Sequence, residues 1–589
     1  MHKVLSTDDI SGDCGVAIEF GVPLTSSRID FVLTGEAGDR GAAVIVELKQ
    51  WEKLEKVERR DALVRTYVGG AVQEKPHPSY QAWSYARMIE DYNEDVRNRR
   101  IDLAPCAYLH NYRAAAAGDP LFDESYGRYL KEAPAFCQGD VRKLREFIAC
   151  HISKGEDGYV IDCLESGRLR PSKSLQDALA GMLAGNEEFV MIDDQKVVFE
   201  NALQCAREAA ERKEKQVLIV RGGPGTGKSV VAVNLLVRLT SAEGMVCQYV
   251  SKNSAPRHVY STLLQGSDHS RSYIDSLFRG SGSYCDVPEN SFDALIVDEA
   301  HRLNEKSGLF QNLGDNQIKE LIRAARFSAF FIDEAQRVTI KDIGTAAAIR
   351  RFAREAGATI VEMSLESQFR CNGSTSYLDW LDDVLGVERA VRPIEELDYD
   401  FRVFNDPNEM FAEIVKRNAP RNRSRVVAGY CWEWPQNGRA RRDVPDIALD
   451  TYKFYKSWNL NSSETWAIDD DSVEQVGCVH TAQGLEFDYV GVIVGDDLRF
   501  EGGAVQTDFT KRARTDQSLK GIKGIAKADP AKAIELADPI IRNTYRVLMT
   551  RGLKGCYVFC TDPALAQYLR SRLPRAAAPQ EEEASCSTI

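Results

Sequence analysis

Residues 222–229 have the sequence Gly-Gly-Pro-Gly-Thr-Gly-Lys-Ser and directly follow the apolar run 217–220. This is the spacing G-x-x-x-x-G-K-S at the end of a predicted strand, which is typical of a phosphate-binding loop. Its glycines let successive backbone N–H groups turn toward a phosphate chain, and the helix that follows adds a favourable dipole. The Lys228 ammonium can reach the β- and γ-phosphates, and the Ser229 hydroxyl can hold Mg²⁺. We therefore predict that a nucleoside triphosphate binds at Gly222, Gly223, Pro224, Gly225, Thr226, Gly227, Lys228 and Ser229.

Length and composition restrict the class of protein. The chain has 589 residues, enough for about three or four domains. The sequence contains no apolar run of membrane-spanning length, and its first ten residues lack the apolar core of a secretion signal. Its fourteen cysteines include no C-x-x-C pair, so we expect reduced thiols and no zinc site. Together, these features predict a cytoplasmic protein without a membrane partner. The net charge of −13 counts against a broad nucleic-acid-binding surface but is compatible with a local basic channel.

The alternation of strand-like and helical segments indicates the fold class. Apolar runs of strand length follow the phosphate-binding loop at 246–250, 294–297, 329–332, 359–363, 426–430, 489–494 and 556–560. Strands that alternate with helices predict an α/β fold with mainly parallel, doubly wound sheets. The span is too long for one such sheet, so we expect two.

Composition then suggests how the chain divides. We predict an N-terminal unit over 1–150, a connector over 151–190 and a first parallel-sheet domain over 191–345. A second parallel-sheet domain follows over 346–573, and the Pro- and Glu-rich tail 574–589 is predicted to be disordered.

Two acidic strand ends suit nucleotide hydrolysis. The apolar segment 292–297 ends in Asp298 and Glu299. Asp298 can hold the nucleotide's Mg²⁺ through water, while Glu299 can orient and deprotonate the attacking water. A second strand, 330–332, leads into Asp-Glu-Ala-Gln336, and Gln336 is placed to sense the γ-phosphate.

The order of these motifs resembles that of superfamily 1 helicases, in particular the Schlafen-type group related to RecD-like enzymes. The resemblance covers about 190–565, and it implies ATP bound in a cleft between two RecA-like domains. It assigns adenine recognition to Gln195, nucleic-acid contacts to Ser251 and Asn253, and arginine fingers to Arg370 and Arg551. The segment 479–488, Val-His-Thr-Ala-Gln-Gly-Leu-Glu-Phe-Asp, resembles the helicase motif that lies between those of Arg370 and Arg551. The resemblance implies that Thr481 faces nucleic acid and that Gly484 and Glu486 face the nucleotide.

Short spacings favour translocation over strand separation. Only about 70 residues separate the phosphate-binding loop from Asp298, which leaves little room for large accessory insertions. Trp432, Trp434 and Trp466 are candidates for stacking on bases. Core packing is the alternative for each of them.

The N-terminal unit carries a second candidate site. On a strand, Glu47 and Lys49 point to the same face, and a preceding strand that includes Asp30 can bring a second carboxylate beside them. Two carboxylates can hold Mg²⁺ or Mn²⁺, which can activate water against a phosphodiester. Lys49 can position that water. An ion-paired strand edge is the alternative, and Glu19 is a further candidate ligand.

This pattern resembles the PD-(D/E)xK nucleases over about 20–140. Gln81 and Tyr85 lie four residues apart on one predicted helix face and resemble the Q-x-x-x-Y helix of the RecB-like branch. The chain departs from the family pattern at Ile29, where the family name has proline.

Together these features predict an ATP-driven translocase or helicase fused to a metal-dependent nuclease. It would act on DNA or RNA, with a preference for single strands, in repair or in defence against foreign DNA. The alternative is an ATP-gated nucleic-acid sensor that neither cuts nor unwinds. The sequence leaves oligomeric state open.

Overall fold

The computed structural model describes residues 1–6, 10–23, 25–167, 181, 189–264, 271–308, 312–368, 371, 374–388, 397, 399–433, 445–458 and 465–574. Four of the predicted features lie wholly or largely outside these ranges: Arg370, Trp434, the part of the predicted connector at 168–180 and 182–188, and almost all of the tail, from 575 onward.

The N-terminal unit is built on a five-stranded mixed sheet. Its strands are β1 (Gly15–Gly21), β2 (Arg28–Ala37), β3 (Arg40–Lys49), β4 (Leu54–Lys56), β5 (Leu63–Val68), β6 (Ala71–Pro76), β7 (Asp102–Leu109) and β8 (Ala135–Cys137). The main sheet has the order β1-β2-β3-β7-β8, and β4 to β6 form a separate antiparallel sheet. The helices are His2–Leu5, Pro78–Tyr92, Glu94–Asn98, Gly127–Glu132, Val141–His151 and Tyr159–Ser166. The alternation of buried side chains along β2 and β3 gives the sheet one core on each face.

The middle of the chain forms a six-stranded parallel sheet. Its strands are β9 (Gln216–Gly222), β10 (Cys247–Ser251), β11 (Phe278–Arg279), β12 (Phe292–Asp298), β13 (Ala325–Ile332) and β14 (Thr359–Leu365), in the order β11-β10-β12-β13-β9-β14. The helices are Asp193–Arg212, Lys228–Val237, Ser254–Leu263, Arg271–Leu277, Gln317–Ala324 and Ala346–Glu355. Because parallel strands end at the same edge, the loops after β9, β12 and β13 meet there.

The last part of the chain forms a second parallel sheet. Its strands, with two short antiparallel pairs, are β15 (Asp400–Phe404), β16 (Ser424–Ala428), β17 (Ile447–Leu449), β18 (Phe454–Lys456), β19 (Val476–Gly477), β20 (Phe487–Val494), β21 (Leu498–Glu501), β22 (Ala504–Thr507) and β23 (Gly552–Cys560). The sheet order is β15-β23-β20-β16-β19. The helices are Thr375–Leu385, Pro407–Asn418, Val479–Ala482, Ile522–Ala528, Pro530–Met549 and Pro563–Ser571. The predicted α/β class with two parallel sheets is confirmed.

The structure moves two of the predicted domain boundaries. Helix Ala346–Glu355 and β14 belong to the first sheet unit, because β14 pairs along the whole of β9. The boundary predicted at 345/346 therefore falls inside that unit, since an apolar run alone does not specify which sheet edge it will cover. Likewise, helix Tyr159–Ser166, predicted as connector, packs into the core of the N-terminal unit.

Several side chains are more buried than the sequence suggested. Trp466 is 1% exposed and lies in the core, so the packing alternative holds for this tryptophan. Arg425 and Arg512 are also buried. The cysteines in the described ranges are free thiols. Of the helices in those ranges, none has both the length and the apolar character needed to cross a bilayer.

Candidate functional site

The phosphate-binding loop connects β9 to helix Lys228–Val237. Gly225 and Gly227 both have φ near +79°, a left-handed conformation that glycine adopts without steric cost. The Lys228 ammonium donates to the carbonyl oxygens of Gly222 (2.7 Å) and Gly223 (2.6 Å). It also lies 4.0 Å from Asp333. The lysine is therefore held at the mouth of the loop, 7% exposed.

Asp298, at the end of β12, faces this loop. Its Oδ2 accepts hydrogen bonds from the Ser229 hydroxyl and the Tyr249 hydroxyl, both at 2.6 Å. Burial raises the pKa of Asp298, and the neighbouring Glu299 charge raises it further. The Ser229–Asp298 pair supplies the hard oxygen donors that a nucleotide-bound Mg²⁺ takes, so the residues present fit the ion.

Glu299 adopts φ +52°, a left-handed conformation that is uncommon for a residue with a Cβ. Its carboxylate lies 3.0 Å from His301 Nε2. Burial opposes ionisation, but the charge and hydrogen bond of His301, together with Arg551 and Lys228, lower the pKa of Glu299. The carboxylate is thus ionised and can accept a hydrogen bond from water.

Gln336 connects the two parallel sheets. Its amide nitrogen donates to Asp333 Oδ2 at 2.7 Å, and its amide oxygen accepts from Arg551 Nη2 at 2.9 Å. Arg551 precedes β23 of the second sheet, whereas Gln336 and Asp333 follow β13 of the first. The structure therefore brings the predicted arginine finger to the predicted γ-phosphate sensor.

Gln483 is a functional candidate that the sequence reasoning missed. Its side chain reaches across to the first sheet unit, where the amide oxygen accepts from Arg302 and the amide nitrogen lies 3.2 Å from His301. Its backbone carbonyl accepts from Asn253 at 2.7 Å. The signal was present, since Gln483 lies in the motif between Thr481 and Gly484, but its partners are about 180 residues away in sequence.

The predicted nucleic-acid residues lie where the two sheet units meet. Ser251 accepts from the backbone N–H of Asn253 at 3.3 Å, and Thr481 caps the first turn of helix Val479–Ala482. Gly484 has φ +83°, and a Cβ there would come within 2.6 Å of Pro256. Ser251, Asn253 and Thr481 thus already have internal partners, and glycine is required at 484 by the close approach of the two units.

A basic cavity of about 300 Å³ lies beside these residues. Lys252, Arg302, Lys341 and His480 line it, drawn from both sheet units. Burial, with a contribution from the nearby Arg302 charge, lowers the pKa of Lys252 to about 8. The sequence reasoning selected the neighbours of Lys252 and His480 but not these residues themselves.

Residues from several segments contact the phosphate-binding loop. Gln195 is buried and donates to the Thr226 carbonyl at 3.3 Å. Gln368 donates to the Pro224 carbonyl at 2.6 Å. Glu486, predicted to face the nucleotide, is half-buried. It lies close enough to Tyr92 of the N-terminal unit for its charge to add to the rise in the pKa of Tyr92, which burial mainly causes.

The N-terminal candidate site lies on β2 and β3, where the antiparallel register begins with Phe31 opposite Val46, and Asp30 and Glu47 are the adjoining residues. Asp30 Oδ2 accepts from the Leu48 N–H at 2.7 Å, and Lys49 donates to Glu47 Oε1 at 2.5 Å. Burial raises the pKa of Glu47 to about 7; Asp30 also raises it, and Lys49 opposes the shift. Glu19, by contrast, is exposed on β1.

Gln81 and Tyr85 share one face of helix Pro78–Tyr92, and Gln81 donates to the Tyr85 hydroxyl at 2.8 Å. Both also donate to Asp193, at 3.0 and 2.8 Å. Asp193 was not selected from the sequence, because nothing local to it indicates a partner more than a hundred residues away. Within the described ranges, no group of three or more histidine, cysteine, aspartate or glutamate side chains is arranged to hold a metal ion.

Comparison with known proteins identifies the family. The model of the Schlafen group 3 DNA/RNA helicase domain matches residues 215–562, more than half of the chain. The chain therefore belongs to the Schlafen group 3 DNA/RNA helicase family. It is an ATPase of the helicase type, which uses ATP and binds nucleic acid.

Individual proteins are more distantly similar. The uncharacterized protein YPL245W of Saccharomyces cerevisiae is 24% identical over 392 residues, which cover 61% of this chain and 84% of the yeast protein. The crystal structure of Pif1 helicase from Candida albicans is 10% identical with a TM-score of 0.29, covering 65% of this chain and 99% of that one. A DEAD box protein from the hyperthermophile Methanococcus jannaschii is 9% identical with a TM-score of 0.24, covering 66% and 95% respectively.

Proposed function

We propose that this chain is an ATP-driven translocase on single-stranded DNA or RNA that carries a metal-dependent nuclease in its N-terminal unit. The observation that carries the motor part is the contact of Arg551 with Gln336, which joins the two parallel sheets at the phosphate-binding loop.

Hydrolysis in such an arrangement depends on how the two sheet units sit against each other. Lys228, Asp298 and Glu299 come from the first unit, and the guanidinium of Arg551 comes from the second. An arginine that stabilises the transferring phosphoryl group can raise the rate about 10³–10⁵-fold. Closing and opening of the cleft would therefore follow the nucleotide state, and a strand held by both units would be moved in steps.

The strand is proposed to lie along the basic cavity between the units. Lys252 and Lys341 offer cationic groups to phosphates there, whereas Arg302 is already paired with Asp342 at 3.1 Å. The chain as a whole carries a net charge of −13. A local basic groove acts through its own field even on an acidic protein. Its limited volume suits one strand better than a duplex.

The nuclease part is supported by the chemistry of Asp30, Glu47 and Lys49. Glu47 Oε2 is buried and has no hydrogen-bond partner among the described residues, an arrangement that a cation would satisfy. When bound, Mg²⁺ or Mn²⁺ would polarise a phosphodiester and lower the pKa of a water molecule. Asp30 and Glu47 would hold the ion, and Lys49 would orient the attacking water.

The motor is tested by measuring ATP hydrolysis with and without single-stranded DNA and RNA. Either nucleic acid should stimulate hydrolysis, and Lys228→Ala should abolish it while leaving the fold intact. Lys215→Ala serves as a control, because Lys215 also lies in the first sheet unit but bonds only to the opposite end of the sheet. A rate of ATP hydrolysis that neither DNA nor RNA changes would contradict the translocase function.

The nuclease is tested by cleavage of plasmid and single-stranded substrates with Mg²⁺ or Mn²⁺. Glu47→Ala should abolish cutting and spare ATP hydrolysis. A cutting rate that Glu47→Ala leaves unchanged would show that the activity comes from elsewhere.

A second function is favoured by the acidic net charge and by the short spacing between motifs. In this alternative, the chain is a sensor that binds a nucleic acid and signals through closure of the cleft. It neither cuts the nucleic acid nor moves along it. Tight ATP-dependent binding in the absence of both cleavage and movement along the strand would support this sensor over the fused enzyme.

A further inference from the structure

Three hydrogen-bond donors of the N-terminal unit converge on one carboxylate. Ser27 donates to Asp193 Oδ2 at 2.6 Å, and Tyr85 and Gln81 donate to Oδ1 at 2.8 and 3.0 Å. Asp193 does not belong to that unit's own helices. It is the first residue of helix Asp193–Arg212, which packs against the first parallel sheet.

These donors form a site for an anionic group. Burial raises the pKa of Asp193, and the hydrogen bonds from Ser27 and Tyr85 and the nearby Lys49 charge oppose that shift. Glu47 lies close enough to Asp193 for the carboxylate charge to add to the rise in the pKa of Glu47, after burial and Asp30. Carboxylate and phosphate oxygens accept the same charge-assisted hydrogen bonds. The three donors and Lys49 would therefore also suit a phosphate diester presented next to Glu47.

We propose that Ser27, Gln81 and Tyr85 bind a backbone phosphate of the nucleic acid, and that Asp193 occupies this position until a strand displaces it. The inference rests on the nuclease function proposed above. Asp193 has φ +44°, a left-handed conformation that is unfavourable for a residue with a Cβ. Three hydrogen bonds hold the carboxylate in place, so we expect the helix start to relax when a competing anion takes these donors.

Release would be linked to the nucleotide site by neighbouring residues. Asp194 accepts from the backbone N–H groups of Glu366 and Ser367, and Gln195 bonds to the phosphate-binding loop. On the other side, the Ser26 backbone N–H donates to the Gln368 carbonyl at 3.0 Å, and Gln368 bonds to Pro224. Movement of Asp193 thus shifts the helix start that carries Gln195, so nucleotide binding and strand entry would influence each other.

The first experiment measures cleavage of a single-stranded oligonucleotide with Mn²⁺ by the full chain. Asp193→Ala should cut at least about tenfold faster than the wild type, because the phosphate no longer competes with a carboxylate. Glu211→Ala is the matched control, since it removes an exposed carboxylate from the far end of the same helix, where Glu211 pairs with Arg59. If the wild type cuts, equal or slower cutting by Asp193→Ala would overturn the inference. Asp193→Asn, which keeps the side-chain size, repeats the test with less loss of packing.

A second experiment is independent of cleavage. In a Glu47→Ala background with EDTA and saturating ADP, the affinity for a 5′-phosphorylated thymidine dinucleotide is measured by calorimetry. Asp193→Ala should bind about tenfold more tightly, and adding Tyr85→Phe with Gln81→Ala should remove the gain. If Asp193→Ala binds the dinucleotide more tightly but no variant cleaves, the phosphate site is supported and the nuclease function is rejected. Cleavage by the wild type with no gain in affinity would reject the phosphate site alone.

Discussion

Glu47 combines nearly complete burial with one cationic partner among the described residues, Lys49. A carboxylate in this position is costly to ionise, because desolvation disfavours its charged form. Such a group reduces stability, a cost that the proposed nuclease role of Glu47 would explain. Its effect on stability should therefore depend on pH.

We predict that Glu47→Gln stabilises the protein more at pH 8 than at pH 5. The folded-state pKa of about 7 lies above the ordinary value of 4.5, so the folded state loses stability as pH rises between these values. The difference between the two pH values should be about 2 kcal/mol, from roughly 1.4 kcal/mol per pKa unit. Denaturant unfolding in EDTA measures it. A stability difference that is the same at both pH values would contradict the burial argument.

Lys252 supplies a second prediction, for nucleic-acid binding. Because its pKa is lowered to about 8, the ammonium is charged at pH 7 and largely neutral at pH 9. The slope of log affinity for single strands against log salt should become shallower by about 0.7 between these pH values, as expected for one lost phosphate contact.

Lys252→Arg provides the control, because a guanidinium stays charged over this range. The arginine variant should show the same salt dependence at both pH values. If the lysine and arginine proteins respond identically to pH, Lys252 does not contact the strand.

Single residues divide clearly into those that the sequence could and could not identify. Lys228, Asp298 and Glu299 are fixed by local motifs, because a loop or strand end determines where they lie. Tyr249, Gln483 and Asp193 have partners on distant segments, and only the packing of those segments brings them together. Their roles therefore could not be inferred from the sequence alone.

At the scale of elements, a buried charge cluster fixes the end of β20 against helix Pro530–Met549. Arg512 donates to Asp497 at 2.5 Å, to Asp516 at 3.1 Å and to Thr544 at 3.1 Å. The side chains of Arg512, Asp497 and Asp516 are at most 2% exposed. The carboxylates are compensated only while the guanidinium is present.

Arg512→Met should therefore destabilise the second sheet unit by about 3–5 kcal/mol, the range for removing one partner of a buried ion pair. Calorimetry would show this as a lower melting temperature. Arg514→Met is the control: Arg514 is 82% exposed, and loss of a surface pair should change stability by less than about 1 kcal/mol. Adding Asp497→Asn to Arg512→Met should restore part of the loss.

Most strands of the parallel sheets were predictable because their apolar runs have strand length, but β11, β15 and β19 were not among the predicted runs. All seven runs from 246–250 to 556–560 coincide with strands of the parallel sheets. The assignment of β14 to the first sheet was not predictable, since pairing with β9 is decided by which edge is open.

At the scale of the whole molecule, the two parallel sheets meet at Arg551. Arg551→Lys keeps the positive charge but loses the planar geometry that reaches both Gln336 and the Leu485 carbonyl. We predict a fall in the hydrolysis rate of about 10³-fold with little change in ATP affinity, since the first sheet unit binds most of the nucleotide.

Steady-state hydrolysis and binding of a fluorescent nucleotide measure the two quantities separately. Parallel losses of rate and affinity would mean that Arg551 holds the ground-state nucleotide, and not the transition state. A variant at an exposed arginine of the same unit, Arg514→Lys, should leave both values unchanged.

The start of helix Asp193–Arg212 belongs to two units at once. Ile192, the residue before it, is fully buried in the apolar core of the N-terminal unit, while Val198 and Ala202 pack into the core of the first parallel sheet. Excision of the motor as a separate fragment beginning near 189 would expose Ile192 to water and leave a gap in the fragment that was removed. A cut at this point would therefore damage the apolar core of the N-terminal unit. For this reason we expect the N-terminal unit and the first parallel-sheet unit to have been inherited together.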